Sequence, residues 1–258
     1  MTYRSKELLS VNADAKTVKS LEQGVLTGIL YLAPHDISGY QVCAKASEGC
    51  KQACLYTSGK GKMNFVQQSR INKTKWFFED RESFMQTLVK NIKSLIRKAA
   101  REGLKPAVRL NGTSDLPWEK FRVTIDGVTY RNLMVAFPEI DFYDYTKVVG
   151  RSSALALQNY HLTFSLAEDN DAEARRALRE GYNLAVVMRL KKKDAKPDFW
   201  SGYPVIDGDK YDARFIDPKS GHIVALFAKG DGVKDTSGFV RDVNSELAAE
   251  TISLKIAA

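Results

Sequence analysis

Leu162-Thr-Phe-Ser-Leu-Ala-Glu-Asp-Asn-Asp-Ala-Glu-Ala-Arg-Arg-Ala-Leu-Arg-Glu-Gly-Tyr-Asn-Leu-Ala-Val-Val-Met188 is the stretch that decides the fold. Leu162–Ser165 and Leu184–Met188 are short apolar runs of β-prone residues. Between them Ala172 to Glu180 has helical composition, with Asp171 placed to cap its start and Gly181 its end. Strand, helix and strand in one short span imply a parallel pair joined by a crossover.

Outward from this unit the alternation continues. Toward the N-terminus lie strand candidates Asp141–Tyr145, Ala107–Leu110 and Gly28–Leu32. Between the last two, Phe65, Ser69, Trp76 and Phe77 belong to one helix. A second helix starts at its cap Asp80 and repeats Phe84, Leu88, Ile92, Leu95 and Ile96 at helical spacing. Gly103 closes it, and Pro106 prevents its continuation. Arg131–Phe137 and Ser152–Gln158 are weaker helices. Val123-Thr-Ile, Asp126-Gly127 and Val128-Thr-Tyr130 spell a β-hairpin, read as an insertion. After Pro197 short strands near Tyr203–Ile206, Ala213–Ile216 and Ile223–Phe227 are divided by Gly- and Asp-rich turns. The expected fold is α/β: a parallel βα barrel, TIM-like or incomplete, with the hairpin insertion and a β-rich C-terminal portion; an open sheet is the alternative. The expected organisation is a polar N-terminal arm over 1–24 and one domain over 25–258, carrying a cysteine loop at 43–61.

The chain has 258 residues, 44% of them apolar, and a net charge of +8. That apolar content suffices for a sizeable core. No stretch approaches the roughly 20 apolar residues that span a bilayer, and the start Met1-Thr-Tyr-Arg-Ser-Lys6 has no apolar signal core. The expectation is a cytoplasmic protein without a membrane partner. The basic balance suits a small-molecule or nucleotide substrate bearing phosphate, or nucleic acid, as well as plain solubility. Lys90, Lys93, Arg97 and Arg101 form one face of the second helix, and Lys191–193 is a basic run; both are expected to be solvated. Arg70, Lys73 and Lys75 follow the cysteine loop and are better placed to reach a ligand.

The three cysteines are spaced Cys43-x6-Cys50-x3-Cys54 and are followed by Leu55 and Tyr56. An odd number packed into one loop, without an export signal, points to thiolate ligands rather than disulfides. Three thiolates suit a four-iron, four-sulfur (4Fe-4S) cluster with one open iron. A structural zinc site would need a fourth ligand, for which His35 is nearest. Unmetallated thiols are the third reading.

The loop, the segment Arg70-Ile-Asn-Lys-Thr74 and the late Pro204-Val-Ile-Asp-Gly-Asp209 together resemble a bacteriophage protein family of the gene product 88 type, over most of the chain after about residue 25. The likeness implies no activity, and for a phage protein it places the chain in the host cytoplasm. More distantly, the layout resembles radical S-adenosylmethionine barrels, with a cysteine loop after the first strand and then Arg109-Leu-Asn-Gly-Thr-Ser-Asp115. Their usual spacing is Cys-x3-Cys-x2-Cys, from which this loop departs. That likeness implies an open iron able to chelate S-adenosylmethionine.

Each expected strand ends in polar groups, and in a barrel these would line one rim. Asn111, Ser114, Asp115, Lys147 and Arg189 are the candidate catalytic or substrate-holding residues, the last two suited to carboxylate or phosphate. Tyr56, Arg70, Ser165, Glu168, Asp207 and Asp209 are the candidate cofactor contacts. Gly112 and Gly208 would let a ligand approach the backbone. No nucleophile elbow, phosphate loop or dinucleotide fingerprint is present. The two expectations are an iron–sulfur enzyme, and a non-catalytic nucleic-acid-binding protein with a structural metal.

Overall fold

A computed structural model describes residues 4–11, 15–191 and 193–248; the ends of the expected arm and domain, and Lys192 of the basic run, lie outside them. In chain order the elements are β1 (Leu9–Val11), α1 (Ala15–Leu21), β2 (Val25–Leu30), α2 (Glu48–Gln52), α3 (Asn64–Glu79), α4 (Arg81–Glu102) and β3 (Lys105–Arg109). There follow β4 (Val123–Ile125), β5 (Val128–Tyr130), α5 (Leu133–Ala136), β6 (Asp141–Thr146), α6 (Ser152–Leu155) and β7 (Tyr160–Ser165). The chain closes with α7 (Asp171–Arg179), β8 (Asn183–Met188), β9 (Phe199–Trp200), β10 (Tyr203–Asp207) and β11 (Ile223–Phe227).

Nine strands form one sheet in the order β1-β2-β3-β6-β7-β8-β11-β10-β9. The seven from β2 to β10 are mutually parallel, while β1 and β9 run antiparallel at the two edges. No pairing among the described residues joins one edge to the other, so the sheet is open and the closed barrel is not what these strands form. Antiparallel edge strands occupy both margins where closure would have to occur. From β2 to β8 the strand order follows the chain in one direction, as crossovers of one hand produce.

Alternation sorts each strand between two faces. Leu26, Leu30, Val108, Leu110 and Phe142 bury against Phe84, Leu88, Ile92 and Leu95 of α4. Farther along the same side, Phe164, Leu184, Val186 and Ile223 pack with Ala174, Ala177 and Leu178 of α7. The opposite face carries Val25, Ala107 and Tyr143, covered by Ala213 and Phe215. The expected strand over Ala213–Ile216 is instead a single 3-10 turn, Arg214–Ile216, lying on that face. It lies over the sheet rather than within it, anchored just ahead of the turn where Asp212 accepts from Arg109 at 3.2 Å and from Tyr143 Oη at 2.8 Å.

Most local signals behave as their chemistry requires; at α7 the cap falls one residue early, on Asn170, with Asp171 the first helical residue, and Gly181 follows the C-cap Glu180 at φ 90°. Asp80 caps α4 by accepting from Ser83 N–H at 3.2 Å, and Gly103 ends it at φ 65°. Asp126 and Gly127 both take positive φ, 51° and 83°, in the β4–β5 hairpin turn, the geometry that an Asp-Gly pair favours. The β-rich C-terminal portion is continuous with the rest of the sheet, since β11 pairs directly with β8. Within the expected polar arm, the described residues pack on the sheet: Leu8 is fully buried, β1 pairs with β2, and Asn91 Oδ1 accepts from Leu8 N–H at 2.6 Å. Sparse apolar residues conceal this, because an edge strand needs only a few of them.

Gly112 and Gly208 serve the sheet rather than a ligand. A Cβ on Gly112 would lie 2.6 Å from the Tyr31 ring and 2.7 Å from the Leu30 carbonyl oxygen. One on Gly208 would lie 2.6 Å from Val224 and 2.7 Å from Leu226. Since backbone cannot yield as a side chain can, Gly112→Ala is expected to destabilise by about 1–3 kcal/mol. Chemical denaturation checks this; an unchanged midpoint would show that β2 and β3 separate at little cost.

Candidate metal centre

The segment after β2 turns back over the C-terminal ends of the parallel strands. Two hydrogen bonds start the turn: Gly112 N–H donates to Leu30 O at 3.0 Å, and Thr113 Oγ1 to Leu32 O at 2.5 Å. Asp115 N–H then donates to Val42 O at 2.8 Å, fixing the residue before Cys43. Cys43 Sγ accepts from His35 N–H at 3.3 Å and lies 3.8 Å from Thr113 O.

Cys50 sits in the short helix α2, capped by Ser47, whose Oγ accepts from Cys50 N–H at 3.2 Å. Glu168, beyond β7, holds this helix in place. Its carboxylate accepts from Ser47 Oγ and from Gly49 N–H, each at 2.7 Å. A carboxylate suits the N-terminal turn, where backbone N–H groups are otherwise unsatisfied. Glu168 therefore anchors the cysteine loop instead of awaiting a cofactor. Behind Cys50, Ala53, Ala167, Phe239 and Val240 close a small apolar cluster.

Cys54 completes the set, with two cations beside it. Arg70 of α3 stacks over the rings of Tyr31 and Tyr56, at 4.7 Å and 5.6 Å. Its Nη1 is buried with no hydrogen-bond partner among the described residues. Lys147 donates through Nζ to Ser165 Oγ at 2.7 Å and lies 5.4 Å from the Phe239 ring. Burial pushes the Cys43 thiol up to about 12, aided by Cys54, Asp115 and Cys50. Burial also raises Cys54, opposed by Arg70 and Lys147. Cys43 and Cys54 thus both feel neighbouring thiols, and metal binding here would release protons.

Among the described residues no three His, Cys, Asp or Glu side chains stand close enough to hold a metal ion as they are. The donor chemistry nevertheless suits an iron–sulfur centre. Three partly buried thiols share one environment, and two cations offset the charge that thiolates and sulfides would bring. Loading would require the thiols to draw together. His35 Nδ1 lies 2.5 Å from Asp36 Oδ1, which leaves Nε2 for a fourth ligand in the zinc alternative, the arrangement zinc-binding histidines favour.

Nine expected residues surround this loop: the cysteines, Tyr56, Arg70, Asp115, Lys147, Ser165 and Glu168. The other five are elsewhere. Asn111 is buried; its Oδ1 accepts from Ser114 Oγ, Leu116 N–H and Trp118 Nε1, at 2.8, 2.9 and 3.0 Å. Asn111 and Ser114 therefore build the turn below the loop. Arg189 ties β8 to the C-terminal segment, donating to Asp242 at 3.0 Å and to Asp235 O at 2.8 Å. Asp207 pairs with Lys196, and Asp209 accepts from Lys229 at 2.9 Å and Lys196 at 3.1 Å. These carboxylates already have cations.

A buried network under the rim escapes the sequence reading. Arg151 pairs with Glu119 and lies 3.5 Å from Asp115 and 3.4 Å from Tyr160 Oη. Tyr160 Oη donates to Asp144 at 2.9 Å, and Asp144 also accepts from Asn111 N–H at 2.6 Å. One signal was available: Asp144 shares the apolar face of its strand with Phe142, and an acid there must find partners.

The fold and site define a class: an open, mostly parallel α/β protein with a three-cysteine loop folded over the C-terminal strand ends. The sequence matches the family described as Gene product 88 over residues 6–243, and the chain belongs to that family. No curated protein and no solved structure matches it. The comparisons lend no support to the more distant likeness to radical S-adenosylmethionine barrels. No helix among the described residues is long and apolar enough to cross a membrane.

Proposed function

We propose that this chain is an iron–sulfur enzyme whose cluster is held by Cys43, Cys50 and Cys54, with an anionic small molecule bound beside it. The observation that carries the reading is that Arg70 and Lys147 both stand beside Cys54, in a loop that brings Cys43 and Cys54 close enough to Cys50 to feel its charge. Half-buried cations that form no ion pair with a described carboxylate favour an anionic group. A three-thiolate cluster supplies an open iron to which a substrate, or the amino and carboxylate groups of S-adenosylmethionine, can bind. Arg70, fixed between Tyr31 and Tyr56, would hold the ligand's carboxylate or phosphate. Lys147 would do the same on the other side, oriented by Ser165. Glu168 keeps Cys50 in place through α2.

Protein purified without oxygen is expected to be brown, with about four iron and four acid-labile sulfide per chain when the site is full. Cys50→Ser should bleach it, whereas His35→Ala should leave it coloured. Calorimetry on loaded protein then compares S-adenosylmethionine with simple carboxylates and phosphates, and Arg70→Met should abolish the heat of binding. Colourless protein holding one zinc, lost on His35→Ala, would overturn the cluster. A coloured protein that binds none of these anions would overturn the enzyme reading alone.

A further inference from the structure

The positive charge of this chain is not spread evenly. Between Ile37 and Phe78 there are seven lysines and arginines against a single acid, Glu48, so this segment carries +6 of the net +8. The same segment exposes three large apolar side chains in close succession: Leu55 at 49%, Met63 at 47% and Phe65 at 72%. Phe65 is the most exposed large hydrophobic among the described residues. Lys60 and Lys62 lie between them, both exposed, and neither makes an ion pair with a described residue.

These side chains stand on a stiff platform. Residues Leu55–Thr57 and Gly59–Lys62 form two successive 3-10 turns leading into α3. They are packed so closely that a Cβ on Gly61 would lie 2.6 Å from the Tyr56 carbonyl oxygen. The aromatic and the two ammonium groups are presented outward, with Tyr56 between them and Arg70. A membrane-binding helix would need a continuous apolar stripe. Below Phe65, α3 exposes Gln68, Lys75 and Glu79 instead.

We infer that this surface, Leu55 to Phe65 with Arg70 at its border, binds single-stranded nucleic acid. Lysines without carboxylate partners contact phosphate, and an exposed ring accepts a base face, which every sequence offers. The strand would run past the mouth of the cysteine loop. The inference is independent of metal loading and of the cluster reading, and it predicts little sequence preference.

The test is fluorescence anisotropy of a labelled 12-nucleotide oligothymidine with the full chain, across a salt series. Binding is expected to weaken steeply with salt. Lys60→Ala with Lys62→Ala should weaken it about tenfold or more and flatten the slope of log K against log salt by roughly one to two, given about 0.7 per phosphate contact on single strands. Phe65→Ala should weaken it about tenfold and leave that slope unchanged. Lys98→Ala with Arg101→Ala on α4 should have no effect. Absence of binding, indifference to the Lys60, Lys62 and Phe65 changes, preference for duplex, or equal capture of the chain by anionic phosphatidylserine vesicles would each overturn the proposal. Circular dichroism of each variant verifies that the fold is retained.

Discussion

Arg151→Met is expected to cost the fold about 3–5 kcal/mol at neutral pH, because it leaves a buried carboxylate without its cation. The Glu119 side chain is wholly buried and that of Arg151 is 5% exposed. Methionine keeps much of the volume, so the loss isolates charge rather than packing. Arg151 also faces Asp115, whose carboxylate accepts from Lys147 N–H at 2.8 Å. Burial already raises Asp115, which can take up a proton when the guanidinium goes. Glu119 must then carry most of the penalty. The double variant Arg151→Met with Glu119→Gln should recover much of the stability, since a neutral amide costs far less to bury. Urea denaturation of the wild type and the two variants decides it. A loss under about 1 kcal/mol in the single variant, or no recovery in the double, would mean that water reaches the pair.

The second large effect is a stability that falls as pH rises. Asp144 is fully buried; burial lifts its carboxyl to about 7, against the opposing pull of Asn111 N–H, Arg109, Tyr160 and Arg151. Between the ordinary carboxylate range and about pH 7, the folded state holds a proton that the unfolded state has lost. Stability therefore declines with rising pH across that window and levels off above it. The shift from 3.8 to about 7 corresponds to about 4 kcal/mol in total. Asp144→Asn mimics the protonated form: its amide oxygen can accept from Asn111 N–H, and its NH2 can donate to Tyr160 Oη. The difference between variant and wild-type stability should be small near pH 4 and grow in the variant's favour up to pH 8. The comparison cancels other titrating groups, including Asp141, Asp207 and Asp235, whose lowered pKa values act in the opposite sense. Parallel curves for the two proteins would show that Asp144 stays ionised in the fold.

What the sequence made legible was whatever depends on near neighbours. The β7–α7–β8 unit, the Asp126-Gly127 turn, the Asp80 cap and the Gly103 stop are each encoded within a few residues, and each is present. The position of the three cysteines, just after the Val25–Leu30 strand, was legible as well. Pairings across the chain were not. Glu168 looked like a free rim carboxylate because nothing nearby in sequence shows that Ser47 and Gly49 will meet it, about 120 residues away. Asp207 and Asp209 looked like ligands for the same reason, their lysine partners being invisible in one dimension. Tyr211 to Asp217 read partly as a strand because Ala213-Arg-Phe-Ile216 alternates. The buried Arg109 it must serve is 103 residues earlier. Closure of the sheet is likewise a property of its edges, which no local pattern specifies.

The bond between Arg109 and Asp212 also sets an order of events on the ribosome. Domains are made N-terminal end first and fold as units. Strands β2, β3 and β6 emerge early, with the Arg109 guanidinium and the Tyr143 hydroxyl facing the side where α1 already lies and where Asp212 will arrive. Until the segment around Asp212 leaves the exit tunnel, that face carries an unpaired cation that must remain in water. The early strands can gather against α4 on one side, but the other side stays hydrated around Arg109 through the synthesis of about a hundred further residues. A nascent chain halted before Asp212 would thus offer a sheet still lacking β11, with one surface unfinished, the form on which a holding chaperone acts.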